Sequence, residues 1–186
     1  MTQALLVMDV QNGIVARISD DEELLSRLAR AVDGARRSGV PVIYVRVAFR
    51  EGYPEIAAAN KTFAALAERG GMGDADEVTQ IHLRVAPRAG EAVVVKKRVS
   101  AFAGSDLDVL LRSQRIDTLV LAGIATSGVV LSTLRQAADL DFGLVVLADA
   151  CADADPEVHR VLTEKVFVRQ ADVRTVDAWL ESLPTA

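Results

Sequence analysis

Short apolar runs alternate with amphipathic stretches along most of the chain. Five runs are apolar almost throughout, at 4–10, 40–47, 91–97, 118–123 and 143–151, and a shorter one lies at 171–173. Continuous apolar runs of this length are typical of strands that are buried on both faces of a parallel sheet. The pattern therefore predicts six strands.

The stretches between these runs have helix patterns. Residues 19–39 begin with acids and end with Arg36, Arg37 and Gly39, which suits the two ends of a helix. Further helices are predicted after Ser105, over 126–141, after Asp155-Pro156 and over 175–183, and one or two helical turns are predicted within 61–70. Strands alternating with helices predict one doubly wound, three-layer α/β domain over 1–186, with a six-stranded, mainly parallel sheet and the 4–10 strand at its centre.

Composition narrows the class of protein. Of 186 residues, 51% are hydrophobic and 25% charged, which is typical of a folded globular protein. The net charge of −5 gives no basic surface for nucleic acid. No run approaches the roughly 20 apolar residues that span a membrane, and the N-terminus lacks the basic start of a signal peptide. We expect a cytoplasmic protein, and the single cysteine, Cys151, allows no disulfide within the chain.

Polar residues follow three of the predicted strands. Asp9 ends the first, Lys96 ends the third, and the turn Ala-Thr-Ser-Gly at 125–128 follows the fourth. Each has an ordinary structural explanation, as a helix cap, a solvated charge or a common strand-to-helix turn. Because ligands bind beyond the carboxyl ends of parallel strands, the three together indicate a site for a small molecule.

Four segments carry a resemblance to a known family. They are LLVMDVQNG (5–13), VVKKRVSAF (94–102), LVLAGIATSGVVLSTLRQAAD (119–139) and LADACAD (147–153). In this order they resemble the isochorismatase-like hydrolase superfamily, which includes nicotinamidases, N-carbamoylsarcosine amidases and isochorismatases. The resemblance implies that Asp9 is the catalytic acid/base and Lys96 its partner.

The position of the family's nucleophile differs. Amidase members follow roughly G-x-x-T-x-x-C-V-x-x-T, and that pattern, laid on Gly123, Thr126 and Thr133, puts Val129 where cysteine belongs. Valine has no nucleophilic atom, so a thioester route is excluded. Isochorismatases of the superfamily also lack the cysteine and use the aspartate as general acid, so Asp9 could still act. Cys151 follows the next strand, where we expect a packed, inert thiol.

The turn after the fourth strand has a further implied property. In the family it contains a cis peptide, here Ile124–Ala125, and presents amides, here those of Ala125 and Val129, to a carbonyl oxygen. We expect Gln11, Phe102 and Ile124 to be possible substrate contacts, and the 48–75 segment to contribute to substrate choice.

A metal site is not expected. The nicotinamidases that the chain resembles bind a metal through an Asp/His/His set beyond the second strand, but residues 45–56 contain no histidine. His82 and His159 are the only histidines, and we expect them on a loop surface and on a helix face. We predict no metal and no cofactor.

Two functions fit these residues. The first is a cysteine-independent hydrolase of a small molecule, which the presence of both Asp9 and Lys96 favours. The alternative is an inactive family member that binds a small ligand in the retained pocket, or that serves only as an oligomerising scaffold, which Val129 favours. The resemblance also implies a homodimer or a higher homo-oligomer.

Overall fold

A computed structural model describes residues 2–18 and 22–184, in which six strands form one sheet. The strands are β1 (Gln3–Met8), β2 (Val42–Val47), β3 (Ala92–Lys96), β4 (Thr118–Ile124), β5 (Gly143–Ala152) and β6 (Asp172–Arg174). Their order across the sheet is β3-β2-β1-β4-β5-β6, and each neighbouring pair is parallel. The predicted parallel sheet with a central first strand is confirmed.

Helices cover both faces of the sheet. They are α1 (Asn12–Ile18), α2 (Glu22–Arg37), α3 (Lys61–Arg69), α4 (Leu107–Ser113), α5 (Leu131–Asp139), α6 (Pro156–Val161) and α7 (Val176–Glu181). One core cluster joins the sheet to α1, α2 and α7, and a second joins it to α4 and α5. This three-layer α/β arrangement is the predicted fold class. No helix of the described residues is long and apolar enough to cross a membrane.

Several helix boundaries differ from the prediction. Helix α1 was not predicted, and of the helix predicted over 19–39, residues 19–21 lie outside the described part of the chain. The helix predicted from residue 126 begins as a wider π-type turn over Thr126–Val130, because Gly128 has non-helical angles (φ −96°, ψ −105°). The α-helical part, α5, begins only at Leu131.

One predicted helix cap is found in the structure, and the start of α4 differs from its predicted cap by one residue. The Asp155 side chain accepts the amides of Glu157 (2.9 Å) and Val158 (3.4 Å), and Pro156 occupies the first turn of α6. Ser105 contributes to the start of α4 because its hydroxyl accepts the amide of Leu107 at 3.3 Å. The capping position itself is one residue later than predicted.

The strand order has a point of reversal beside the carboxyl ends of β1 and β4. The chain builds β1, β2 and β3 outward in one direction and β4, β5 and β6 in the other, so its direction reverses between β1 and β4. Ligands bind to open α/β sheets at such a point, beyond the carboxyl ends of the strands. Asp9 and the turn after β4 both lie there.

Candidate active site

Asp9 and Lys96 form a buried ion pair. Lys96 Nζ lies 2.9 Å from Asp9 Oδ2, and the two side chains are only 2% and 8% exposed in that order. Strand β2 separates β1 from β3 in the sheet, so the long lysine side chain bridges that strand to reach the aspartate. The structure thus brings Lys96 into contact with Asp9, the residue whose partner the resemblance implies it to be, and the catalytic roles of the two stay a prediction.

The ammonium group of Lys96 has three hydrogen-bond partners. Besides Asp9, it donates to the carbonyl oxygens of Arg98 and Val99, each at 3.0 Å. An ammonium group has three hydrogens to donate, so all of them are used within the protein. Lys96 therefore holds the aspartate in place and has no donor left for a ligand.

Asp9 keeps one carboxyl oxygen without a partner. Its backbone is in the left-handed region (φ 54°), and its amide donates to the carbonyl of Val45 at 2.8 Å. Oδ2 contacts Lys96, whereas Oδ1 is buried and has no hydrogen-bond donor among the described residues. Burial raises the pKa of Asp9, and the charge of Lys96 opposes that shift. Oδ1 is thus the carboxyl oxygen of the pair for which the described part of the chain supplies no donor.

The turn after β4 lies directly against β1. Met8 and Gly123 are partners in the two strands, and a Cβ atom on Gly123 would lie 2.0 Å from the carbonyl oxygen of Met8. Gly123 also has a positive φ of 136°, so glycine is required here on both counts. The following peptide, Ile124–Ala125, is cis, as the resemblance implies. The pairing of Gly123 with Met8 brings the start of the turn beside Asp9.

Comparisons with known proteins agree with this arrangement of strands. The family model of the isochorismatase domain matches residues 3–178. The chain belongs to the isochorismatase-like hydrolase superfamily. It is similar to the isochorismatase family protein YecD of Escherichia coli O157:H7, at 33% identity over 98% of this chain and 96% of that protein.

Two further relatives have informative names. The ureidoacrylate amidohydrolase RutB of Stutzerimonas stutzeri is 32% identical over 97% of this chain and 79% of that protein. The crystal structure of N-carbamoylsarcosine amidase from Thermoplasma acidophilum superposes with a TM-score of 0.77 at 29% identity, covering 95% of this chain and 98% of that one.

Val129, which is expected from the sequence to hold the position of the family's cysteine, is part of the core. It is 2% exposed and packs in the cluster between the sheet and helices α4 and α5. Phe102, at 9% exposure, belongs to the same cluster, and Ile124, at 1%, belongs to the cluster on the opposite face. These predicted pocket residues are nearly closed to solvent in this structure, as are Asp9 and Lys96. Ala125 is half-buried at the start of the turn.

The side chain of Gln11, a possible substrate contact in the sequence analysis, is hydrogen-bonded within the protein. Its Oε1 accepts the amide of Val47 at 2.9 Å, and its Nε2 donates to the carbonyls of Val47 (3.0 Å) and Thr79 (2.7 Å). The side chain is fully buried, and both amide hydrogens are used. Gln11 fixes the segment after β1 to the end of β2 and to the loop around Thr79.

Cys151 has the properties of an inert thiol. It lies within β5 and is 5% exposed, and its Sγ is 4.0 Å from the carbonyl oxygen of Leu121. Burial raises the pKa of this thiol to about 12. Because the thiolate is the nucleophilic form, Cys151 remains protonated and unreactive near neutral pH.

Thr126 and His159 form a contact that the sequence did not reveal. Thr126 Oγ1 lies 2.8 Å from His159 Nδ1, and Thr126 is fully buried. Burial lowers the pKa of His159, against the opposing charge of Asp153, so its imidazole is neutral near pH 7. Asp153 also accepts the amide of Ser127 at 2.7 Å. Both contacts tie the turn after β4 to the segment around α6, across more than 25 residues of sequence.

The histidines are placed near their predicted environments. His159 lies on α6, and the half-buried His82 precedes a short 3₁₀ turn, where its Nδ1 accepts the amide of Arg84 at 3.3 Å. Within residues 2–18 and 22–184, no three side chains of the histidine, cysteine, aspartate or glutamate type are grouped as metal ligands. A metal-independent site stays a prediction.

Proposed function

We propose that this protein hydrolyses a small molecule without a cysteine nucleophile, with Asp9 as the general acid and Lys96 as the residue that holds it. The observation that most supports the proposal is the state of the Asp9 carboxyl group. Its Oδ2 is bound by Lys96 at 2.9 Å, while Oδ1 is buried without a donor among the described residues, beside the turn that ends β4.

The surroundings of Asp9 suit proton transfer. Burial raises the pKa of Asp9, so a larger fraction is protonated near neutral pH than for an exposed aspartate. Lys96 stabilises the carboxylate that remains once the proton has left. A general acid works best when its pKa lies near the working pH, which this balance of burial and charge favours.

The proposed reaction consumes one water. Protonated Asp9 gives its proton to the leaving atom of the substrate while water adds to the atom from which the leaving group departs. The surplus proton of that water then returns to the Asp9 carboxylate, so the enzyme is restored. Lys96 keeps the carboxyl group oriented throughout, because its three hydrogens stay bonded to Asp9, Arg98 and Val99.

A substrate panel with one decisive variant tests this proposal. The panel contains vinyl ethers, amides and imides, since two similar proteins are named as an amidohydrolase and an amidase. We expect Asp9→Asn to lower kcat by about 10²–10⁴-fold, because an amide cannot supply the proton. We also expect the rate of the parent to fall as the pH rises through the raised pKa of Asp9.

Asp149→Asn is the matched control. Asp149 Oδ1 accepts the amide of Val176 at 2.8 Å, and an asparagine retains that acceptor, so its activity should equal that of the parent. Activity that survives Asp9→Asn but disappears in Cys151→Ser would make Cys151 the nucleophile and refute the proposal.

A second candidate function is ligand binding without turnover, and Val129 favours it. If the protein is a hydrolase, Val129 only lines the substrate pocket and takes no part in the reaction. Val129→Ala should then keep the activity. If the protein is a binder, neither this change nor Asp9→Asn alters turnover, and only ligand affinity responds. New amidase activity in Val129→Cys would show that the amidase machinery is intact apart from its nucleophile.

A further inference from the structure

A cavity of about 280 Å³ lies between helix α1, the end of α3 and the loop that follows α3. Its lining includes Ile14, Arg17, Leu66, Arg69 and Met72. The residues that line the cavity are not those of the Asp9–Lys96 pair or of the turn after β4.

The walls of the cavity are mainly apolar and well defined. Ile14, Leu66 and Met72 contribute to both the cavity and the small core cluster around Phe63. A Cβ atom on Gly13 would lie 2.8 Å from Cβ of Val78, so glycine allows α1 to approach that residue. An apolar group of limited size fits such a space, since ligand pockets usually measure about 300–1,000 Å³.

Two arginines at this cavity have no acidic partner among residues 2–18 and 22–184. Arg17 Nε donates to the carbonyl of Gly13 (2.9 Å), and Arg69 Nε donates to that of Ala65 (3.3 Å), each within its own helix. In the described part of the chain, neither guanidinium makes an ion pair, and their terminal nitrogens have no hydrogen-bond acceptor. Arg36 differs, because its terminal nitrogen lies 2.7 Å from Glu91.

We propose that this cavity binds a small organic carboxylate with an apolar body. The carboxylate would contact the terminal nitrogens of Arg17 and Arg69, because the planar guanidinium matches a carboxylate with two parallel hydrogen bonds. The apolar body would pack against Ile14, Leu66 and Met72. The proposal does not depend on the proposed hydrolase activity.

Calorimetric titration with benzoate, benzamide and inorganic phosphate tests the site. Benzamide has the shape of benzoate without its charge, and phosphate has the charge without the apolar ring. We expect benzoate to bind at least tenfold more tightly than either of the other two. Arg17→Gln and Arg69→Gln should each weaken benzoate binding several-fold.

Arg37→Gln is the matched control, since Arg37 is another exposed arginine at a helix end, on α2 and away from this cavity. It should leave benzoate affinity unchanged. Equal affinity for benzoate and benzamide, or for benzoate and phosphate, would overturn the proposal. So would benzoate binding that is unaffected by Arg17→Gln and Arg69→Gln.

Asp9→Asn separates this proposal from the hydrolase proposal. Because Asp9 does not line the cavity, the variant should bind benzoate as the parent does, whatever happens to turnover. Loss of benzoate binding in Asp9→Asn would place the ligand at the Asp9–Lys96 pair and refute the separate site.

Discussion

The two oxygens of the Asp9 carboxyl group have different surroundings. Oδ2 forms an ion pair with the ammonium group of Lys96, and Oδ1 is buried without a donor in the described part of the chain. A buried charge that loses its partner is costly, because neither water nor another group replaces the lost interaction. The stability of this site therefore depends on Lys96 as much as its chemistry depends on Asp9.

Lys96→Met is expected to destabilise the protein in a pH-dependent way. Without the ammonium group, the pKa of Asp9 rises further above its unfolded value, because only burial then acts on it. An aspartate with a raised pKa contributes stability below its unfolded pKa, and that contribution is lost as the pH rises through the folded pKa. We expect a loss of about 3–5 kcal/mol at pH 8 and a smaller loss at pH 5, measured by urea unfolding.

The double variant Asp9→Asn/Lys96→Met provides the control for that experiment. It removes both charges, so this pair should no longer contribute to the change in the free energy of unfolding between pH 5 and pH 8. An equal loss for Lys96→Met at both pH values would show that the lysine acts through packing of its side chain, not through its charge.

At the scale of elements, β1, β2 and β4 were predictable because each is an almost continuous apolar run that is nearly all buried. The predicted run 118–123 corresponds to Thr118–Ile124, and the run 143–151 to Gly143–Ala152. Helix α1 was not predictable by the same means. It has seven residues, one of them a glycine, and only Val15 is buried, so no helical period develops.

Of the residues in the candidate site, only those at the ends of strands could be predicted from the sequence. Asp9 and Lys96 follow apolar runs, and parallel strands bring their carboxyl ends to one edge. The role of Gln11 depends on Val47 and Thr79, which are 36 and 68 residues away in sequence. The contact between Thr126 and His159 spans 33 residues. No local pattern encodes such contacts, because they arise only when elements pack.

The Thr126–His159 contact should behave as a coupled pair that anchors the turn after β4. Thr126→Val keeps the shape of the side chain and removes its hydroxyl, and His159→Leu removes the ring nitrogen. Each change should cost about 1 kcal/mol, and the double variant should cost less than their sum, because both remove the same hydrogen bond. A double-mutant cycle by urea unfolding measures this coupling.

Thr133→Val is the matched control for the cycle. Thr133 is also a fully buried threonine, but its hydroxyl accepts the amide of Ala101 at 2.9 Å and has no part in the His159 contact. Its effect should add to that of His159→Leu. Additive effects of Thr126→Val and His159→Leu would mean that the observed contact contributes nothing to anchoring the turn.

At the scale of the whole molecule, several large apolar side chains are exposed on separate elements. Leu83 is 87% exposed on a 3₁₀ turn, Val109 is 71% exposed on α4, and Val168 is 53% exposed near the end of the chain. Single exposed apolar residues are normal on a monomer. Exposed apolar side chains are also candidates for contact with a second copy of the chain.

We expect a homodimer in solution, because homo-oligomers most often pair about a two-fold axis and the family resemblance implies such an assembly. Light scattering at micromolar concentration should return about twice the chain mass of 19.9 kDa. Leu83→Asp and Val109→Asp then locate the interface, since a charge buried between two copies opposes association and reduces the mass to that of one chain. The two changes are matched in chemistry but lie on different elements, so each serves as the control for the other. A parent mass near 19.9 kDa would reject the dimer.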